Sequence, residues 1–319
     1  MIQRITIDLR RPPEDRWHLT PEQQQQAREL LALYKADLGI QPDVGEFLVA
    51  SARELVRADY WTEMESLSLA LGLPLSDAVL CNFYYDAIKV VLGCTAFAVE
   101  SGGGILHARN LDWWTTSAIL SRYTTLCNFV GGVAGEFTTI GWPGFTGVFS
   151  GIAPGRFAIT LNAVLSLEPA VPATPVVLVL RTVLEEARSY DEALSILSAA
   201  SLPSDSLLLL TGTQAGQHVV IERTPSRCAV RHGRNGFTCV TNDYQQIQVN
   251  ADQPRSEILA TACRRFERIE SLLSDATPHT PEACFEYLSD PAVKMQITVQ
   301  QMVFQPSTGQ YWVRLPAAD

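Results

Sequence analysis

Residues 93–112 read GCTAFAVESGGGILHARNLD, and the rest of the chain is organised around them. Thr95 to Val99 alternates small and apolar side chains, Glu100 to Gly104 can only turn, and Ile105 to Arg109 runs back. Strand, glycine-rich reversal and strand make a β-hairpin signature. With the turn centred near Ser101–Gly102, Cys94 at the head of the first strand lies opposite Arg109 or Asn110 on the second. Directly opposed side chains on an antiparallel pair sit roughly 5 Å apart at Cβ. The spacing therefore sets a thiol beside a guanidinium, with the Asp112 carboxylate one short step further on. A cation beside sulfur favours the reactive thiolate. A cysteine at a strand start is equally a small core residue, because free cysteine is among the most buried residue types.

Outward from the hairpin, the 319 residues allow one or two domains, and 47% hydrophobic with 18% charged residues is an ordinary globular composition. The formal charge of −10 comes without a basic stripe, which argues against nucleic acid as a partner and limits any membrane-surface contact to a transient one. MIQRITIDLR lacks the apolar core of a signal peptide, and the apolar runs Val176–Leu180 and Leu207–Leu210 are too short to span a bilayer, so a cytoplasmic location is expected. Seven cysteines stand at 81, 94, 127, 228, 239, 263 and 284 with no C-x-x-C, and five scattered histidines form no H-E-x-x-H. Neither a zinc site nor a disulfide framework is expected. No Walker A and no G-x-G-x-x-G opening a helix after a strand is present, so no cofactor is expected.

Residues 2–9 read as a strand, and Thr20-Pro21-Glu22-Gln23 opens a helix expected to run to about Asp37 and stop at Gly39. A second helix is expected over roughly 45–71, and the apolar segment 78–92 delivers the chain to Gly93. Leu120–Phe129 and Phe157–Asn162 read as strands. Residues 176–188 and 190–199 read as helices separated by the Ser189–Glu192 capping box. Strands follow at 206–212, 217–223, 227–232 and 237–241. The spacing predicts helices over 256–273 and 280–288, and a closing hairpin joins 302–304 to 311–315. Hairpins flanked by helices imply antiparallel sheets with helices packed outside, an α+β layered architecture.

Cys94-Thr95, the hairpin and HARNLDW resemble the nucleophile segment of the acid ceramidase and N-acylethanolamine acid amidase family, the N-terminal-nucleophile cysteine hydrolases related to choloylglycine hydrolases. ITIDLRRPPEDRW, GFTGVFSGIAPGRFAITLN, RTVLEEARSYDEALSIL and VTNDY, with Arg255 thirteen residues after Asn242, resemble further segments in the same order. Nearly the whole chain is covered. The hairpin is one residue shorter than usual, Ala163-Val164 stands where a charged pair is common, and the signal peptide of lysosomal members is missing.

The resemblance implies an αββα sandwich and cleavage of the Gly93–Cys94 bond by the Cys94 thiol. The chain would divide into an N-terminal segment 1–93, retained as a partner, and a catalytic part 94–319, together one compact unit. An α-amine titrates near ~8 and a thiol near ~8.5, so the freed amine of Cys94 can take the proton of its own thiol. The implied activity is hydrolysis of a linear amide in an N-acyl lipid of ceramide or N-acylethanolamine type. Bile-salt or N-acyl-amino-acid hydrolysis, acyl transfer on the same scaffold, and a catalytically silent lipid-binding relative are the alternatives.

By the same resemblance Arg109 steadies the thiolate, Asp112 accepts from the α-ammonium, Asn242 donates to the oxyanion, and Arg255 orients Asp112 or Asn242. Asn162 is a second donor candidate. Against these stand a surface Arg109–Asp112 pair, a strand-end Asn162 and a solvated Arg255 in DQPRSE. His107 alternates away from the site and reads as structural. Trp113, Trp114, Trp142, Phe145 and Phe149 read either as plain core or as the wall of an apolar acyl channel.

Overall fold

The computed structural model describes residues 2–38, 49–88, 92–113, 119–166, 168–249 and 260–316. Thirteen strands among them form two sheets. They are β1 Gln3–Asp8, β2 Leu92–Ser101, β3 Gly104–Trp113, β4 Thr125–Val130, β5 Phe137–Gly141, β6 Ser150–Ala153 and β7 Phe157–Asn162, followed by β8 Ser206–Thr211, β9 His218–Arg223, β10 Cys228–His232, β11 Phe237–Val240, β12 Thr298–Gln305 and β13 Gln310–Arg314. One sheet runs β1-β4-β5-β6-β7-β8-β9-β10 and the other β11-β2-β3-β12-β13.

Period-two alternation sorts the side chains into layers. From β2 and β3, Ala96, Ala98 and Ile105 meet Leu207, Leu209 and Val220 of the other sheet in a dry seam. Phe97, Val99, Leu106 and Ala108 point the opposite way, onto Ile269 and Leu273 of the Ala262–Asp275 helix and onto Phe285 and Leu288 of the Pro281–Leu288 helix. On the outer face of the eight-stranded sheet, Phe129, Phe137, Phe157 and Ile159 pack with Val176–Glu186, Tyr190–Ala199 and the helices of the N-terminal segment. The layers run helix, sheet, sheet, helix, the expected αββα sandwich.

Sequence-encoded caps hold the outer layers. Gln23 N–H donates to Thr20 Oγ1 (3.2 Å) while Thr20 N–H donates to Gln23 Oε1 (3.0 Å), a reciprocal box that starts the Pro21–Leu38 helix. Ser189 and Thr280 likewise accept from the third residue of their helices. Ala58–Leu71 ends on Gly72 at φ +63°, a left-handed cap that a Cβ would strain. Arg156 donates to the carbonyls of Leu184 and Ala187, and Arg223 to those of Leu197, Ser198 and Ala200. Each of the two arginines therefore satisfies the open carbonyl end of an outer helix.

The structure departs from expectation in three places. Leu120–Phe129 divides into a helical turn, Ile119–Arg122, and strand β4, because Leu120 O accepts from Trp142 Nε1 (2.8 Å) and Ser121 Oγ donates to Val299 O (3.0 Å). The helix expected from 45 to 71 is interrupted at 54–57, and Gly39 and 41–48 lie outside the described residues. Every described ladder is antiparallel except β1–β4. Between these two strands run the helices Pro21–Leu38, Ala58–Leu71 and Leu75–Ile88, the β2–β3 hairpin and the turn Ile119–Arg122, long enough for the crossover that parallel pairing needs. The N-terminal segment is thus not only helical; it supplies an edge strand. Among the described residues no helix is long and apolar enough to cross a membrane.

Candidate active site

The β2–β3 hairpin closes with Ser101 against Gly104 around Gly102-Gly103, one residue beyond the expected centre. Moving the centre by one slides the pairing by two, so Cys94 faces Leu111 and Arg109 faces Ala96. The thiol and guanidinium still meet, because both pairs lie on one face and the small Ala96 leaves Arg109 room to reach along the strand. Arg109 Nη2 donates to Cys94 Sγ at 3.2 Å. Both side chains are fully enclosed, Cys94 at 1% and Arg109 at 0% exposure.

Arg109 is aimed by the other sheet. Nη1 donates to Phe149 O and Ser150 Oγ, each at 2.6 Å, and Nη2 also donates to Leu161 O at 2.5 Å. Three acceptors on β6, β7 and the preceding loop leave the fork few alternative positions. The surface Arg109–Asp112 pair is therefore not what forms.

Asn242, at the start of the loop after β11, reaches the other end of Cys94. Its Oδ1 accepts from the Cys94 backbone N–H at 2.9 Å and from Arg265 Nη2 at 2.7 Å, while its Nδ2 donates to Ala163 O at 2.7 Å. Two donors on one side and a carbonyl on the other fix the orientation of the amide. The expected role was donation to an oxyanion; here the oxygen instead holds the nitrogen of the Gly93–Cys94 peptide, and the NH₂ group is engaged elsewhere.

Arg265 was not foreseen. Its Nη1 donates to Cys94 O (2.6 Å) and Thr95 Oγ1 (2.9 Å), so one guanidinium binds the carbonyl of Cys94 and the side chain that holds its nitrogen. Burial pulls its pKa down, opposed by Asp112 and Cys94. The stripe that the Ala262–Asp275 helix buries is Ala262, Arg265, Ile269 and Leu273. An arginine at a, a+4 and a+8 register with Ile269 and Leu273 is the signal that marks it. Arg255, the arginine expected beside Asn242, lies outside the described residues.

Asp112 sits directly across the ladder from Gly93. Its Oδ1 accepts from the Thr298 hydroxyl at 2.6 Å, and its buried Oδ2 has no hydrogen-bond partner among the described residues. Burial raises its pKa above the ordinary carboxylate value; Arg265, Thr298 and Arg109 oppose the shift. An open acceptor therefore stands beside the bond expected to break. Asn162 Nδ2 donates to Thr241 O (2.9 Å), tying β7 to the residue before Asn242, and its buried Oδ1 lacks a partner among the described residues.

His107 lies between the sheets, Nδ1 at 3.0 Å from Thr211 Oγ1 and Nε2 at 2.9 Å from Thr160 Oγ1. Burial, helped by Arg109, pushes its pKa down to about 3. It is a neutral joint between layers, but it does not alternate away from the site: residues 107 and 109 are two apart on β3 and share the face that carries Cys94. Trp113 packs edge-on against Trp142 (5.3 Å) and Phe149 (5.5 Å), and Phe145 stacks on Phe149 (5.3 Å). Tyr34 and Tyr85 of the N-terminal segment close this cluster against Trp113 and Phe149. Trp114 lies outside the described residues.

Known proteins resemble this chain in sequence and fold. Residues 99–305 match the family model described as acyl-coenzyme A:6-aminopenicillanic acid acyl-transferase. Acid ceramidase of Balaenoptera acutorostrata scammoni is 25% identical over 250 residues, covering 68% of this chain and 62% of the relative, so the chain spans less than two thirds of that protein. N-acylethanolamine-hydrolyzing acid amidase of Caenorhabditis elegans is 27% identical over 261 residues, covering 76% of this chain and 72% of the relative. The solved Caenorhabditis elegans N-acylethanolamine-hydrolyzing acid amidase ortholog superposes with a TM-score of 0.54 at 22% identity over 69% of this chain and all of that one, which shows the shared fold. The chain belongs to the acyl-coenzyme A:6-aminopenicillanic acid acyl-transferase family, with acid ceramidase and N-acylethanolamine-hydrolyzing acid amidase among its relatives.

Proposed function

We propose that this protein is a self-processing cysteine amidohydrolase that cleaves the linear amide bond of N-acyl lipids of ceramide or N-acylethanolamine type. The observation that carries the reading is Cys94 held at both ends, with Arg109 Nη2 3.2 Å from its sulfur and Asn242 Oδ1 2.9 Å from its nitrogen. In the intact chain, sulfur attacks the Gly93 carbonyl carbon and the C–N bond breaks. The nitrogen leaves as the Cys94 amine with the proton the thiol gives up, and water hydrolyses the thioester to a Gly93 carboxylate and a free thiol.

In turnover the new α-amine takes the thiol proton, and the thiolate attacks the substrate carbonyl. The ammonium returns the proton to the departing amine, and water releases the acid from the acyl-enzyme. Asn242 Oδ1 keeps the amine in place and Asp112 Oδ2 offers it a second acceptor. Arg109 compensates the thiolate charge, and Arg265 holds the Cys94 carbonyl. Segment 1–93 stays as a partner after scission, because it contributes β1 and the aromatic lid of Tyr34 and Tyr85.

Intact-mass measurement should give two pieces meeting at Gly93–Cys94 in place of one 35.1 kDa chain, and a panel of amides should release amine. An unreactive thiol and no hydrolysis of a ceramide, an N-acylethanolamine, a bile-salt conjugate or an N-acyl amino acid would refute the proposal in favour of a silent lipid-binding relative. The second reading is acyl transfer to an amine, favoured by the description of the matching family. Product analysis with added amine separates the two.

A further inference from the structure

We infer that Glu222 is a positioning residue for Asn242, acting through the loop that carries it. Glu222 lies on β9 and is 0% exposed. Its neighbours on the seam between the sheets are apolar: it pairs across the ladder with Leu207 and Ala229 and shares the layer of Leu209, Val220 and Ile247. Packing alone calls for a leucine there, since a buried carboxylate is costly unless its oxygens are satisfied.

They are satisfied by the loop. Oε1 accepts from the Gln245 N–H at 3.0 Å, and Oε2 accepts from the N–H groups of Gln246 (2.9 Å) and Ile247 (3.0 Å). Arg231 Nε stands 3.6 Å from Oε1. Three successive N–H groups converging on one anion form a nest, which fixes the backbone that makes it. The nest begins three residues after Asn242. Thr241 Oγ1, on the other side of Asn242, donates to Ala262 O at 3.0 Å, so the residue that holds the Cys94 nitrogen is clamped from both flanks. A misplacement of about 1 Å in a catalytic geometry can cost ~100-fold, so the anchor reaches the chemistry without touching it.

Glu222→Gln keeps the shape but sets an NH₂ group against loop N–H donors, so at least one bond of the nest is lost. The inference rests on the amidase reading, and wild-type turnover is the reference: no turnover at all removes that reading itself. With turnover established, E222Q in the full chain should lower kcat on the order of 10-fold or more with KM within about twofold, normalised to the folded fraction by titrating reactive thiol. In an Asn242→Ala background the same substitution should change the residual kcat less than about twofold, because both act through one side chain. E222Q with wild-type kcat, or with an undiminished effect in the Asn242→Ala background, overturns the inference and leaves the amidase reading standing. If E222Q does not fold, Glu222→Asp, which keeps the charge and shortens the reach, carries the same cycle with the same two outcomes.

Discussion

Arg181→Met should cost about 3–5 kcal/mol of stability, the usual penalty for removing one partner of a buried ion pair. Arg181 and Glu63 are both 0% exposed. The guanidinium binds both Glu63 oxygens (Nη1 2.5 Å, Nη2 2.7 Å), donates from Nε to Glu185 Oε1 (2.8 Å), and lies over the rings of Tyr60 (4.2 Å) and Phe129 (5.0 Å). Without it, Glu63 keeps one Arg16 nitrogen (2.9 Å) and Trp17 Nε1 (2.7 Å), and Glu185 keeps the Tyr60 hydroxyl (2.9 Å) and Arg57 Nη1 at 3.6 Å. Neither set neutralises a buried carboxylate as a bidentate arginine does. Methionine keeps an unbranched apolar stem beside the rings, so the part of the loss that reports charge is separated from packing by the triple variant below. The assay is urea unfolding followed by the fluorescence of the six tryptophans in a Cys94→Ala background, which removes the proposed nucleophile of scission. A fall of roughly 10 °C in Tm should accompany the change in ΔG. Adding Glu63→Gln and Glu185→Gln to Arg181→Met should restore at least half the loss, since the under-compensated buried charges go with the arginine. A loss under about 1 kcal/mol, or a triple variant no more stable than the single one, would mean that this cluster does not fasten the N-terminal segment to the catalytic part.

Cys94→Ala should abolish both scission and turnover, giving one 35.1 kDa species by mass spectrometry; a cut chain would place the nucleophile elsewhere. Asp112 has a folded pKa raised above 3.8, so its contribution to stability is present at low pH and is lost as pH rises through that raised value. Asp112→Asn should therefore be more stable than wild type at pH 7 while losing activity, and equal or lower stability contradicts the burial argument. His107 acts with the opposite sign. Its folded pKa of about 3 lies below the ordinary 6.5, so stability is complete well above 6.5 and falls as pH drops through it, by about 2 kcal/mol between pH 6.5 and 4.5. His107→Gln should flatten that slope in denaturant titrations at the two pH values; an unchanged slope assigns the acid sensitivity to other groups. Arg109→Lys, which keeps charge but cannot span Phe149 O, Leu161 O and Sγ together, should slow thiol alkylation and kcat about 10-fold or more. An enzyme within twofold of wild type would show that point charge alone suffices.

Local rules in the sequence determined the elements that depend on near neighbours. Alternation and glycine placement specified the β2–β3 hairpin, capping boxes at Thr20, Ser189 and Thr280 specified helix starts, and hairpin order specified the antiparallel pairing found in every described ladder but β1–β4. Cys94, Arg109 and Asp112 were legible because one hairpin carries all three, so their proximity needs no knowledge of the rest of the fold. Only the tertiary structure decided the remainder. The exact register turned on where the two-residue turn settled, and each one-residue shift of its centre moves cross-strand partners by two. Asn242 was legible as a residue, but its orientation was set by Arg265 and Ala163, which lie 23 and 79 residues away. Arg265 itself reads as a solvated helix residue until the helix is rolled onto the sheet and turns it inward. Glu222 reads as an ordinary strand charge until the loop after β11 folds back over it. Local hydrogen bonds and period write themselves into adjacent residues, whereas the compensation of a buried charge is chosen among groups that only the folded layers bring together.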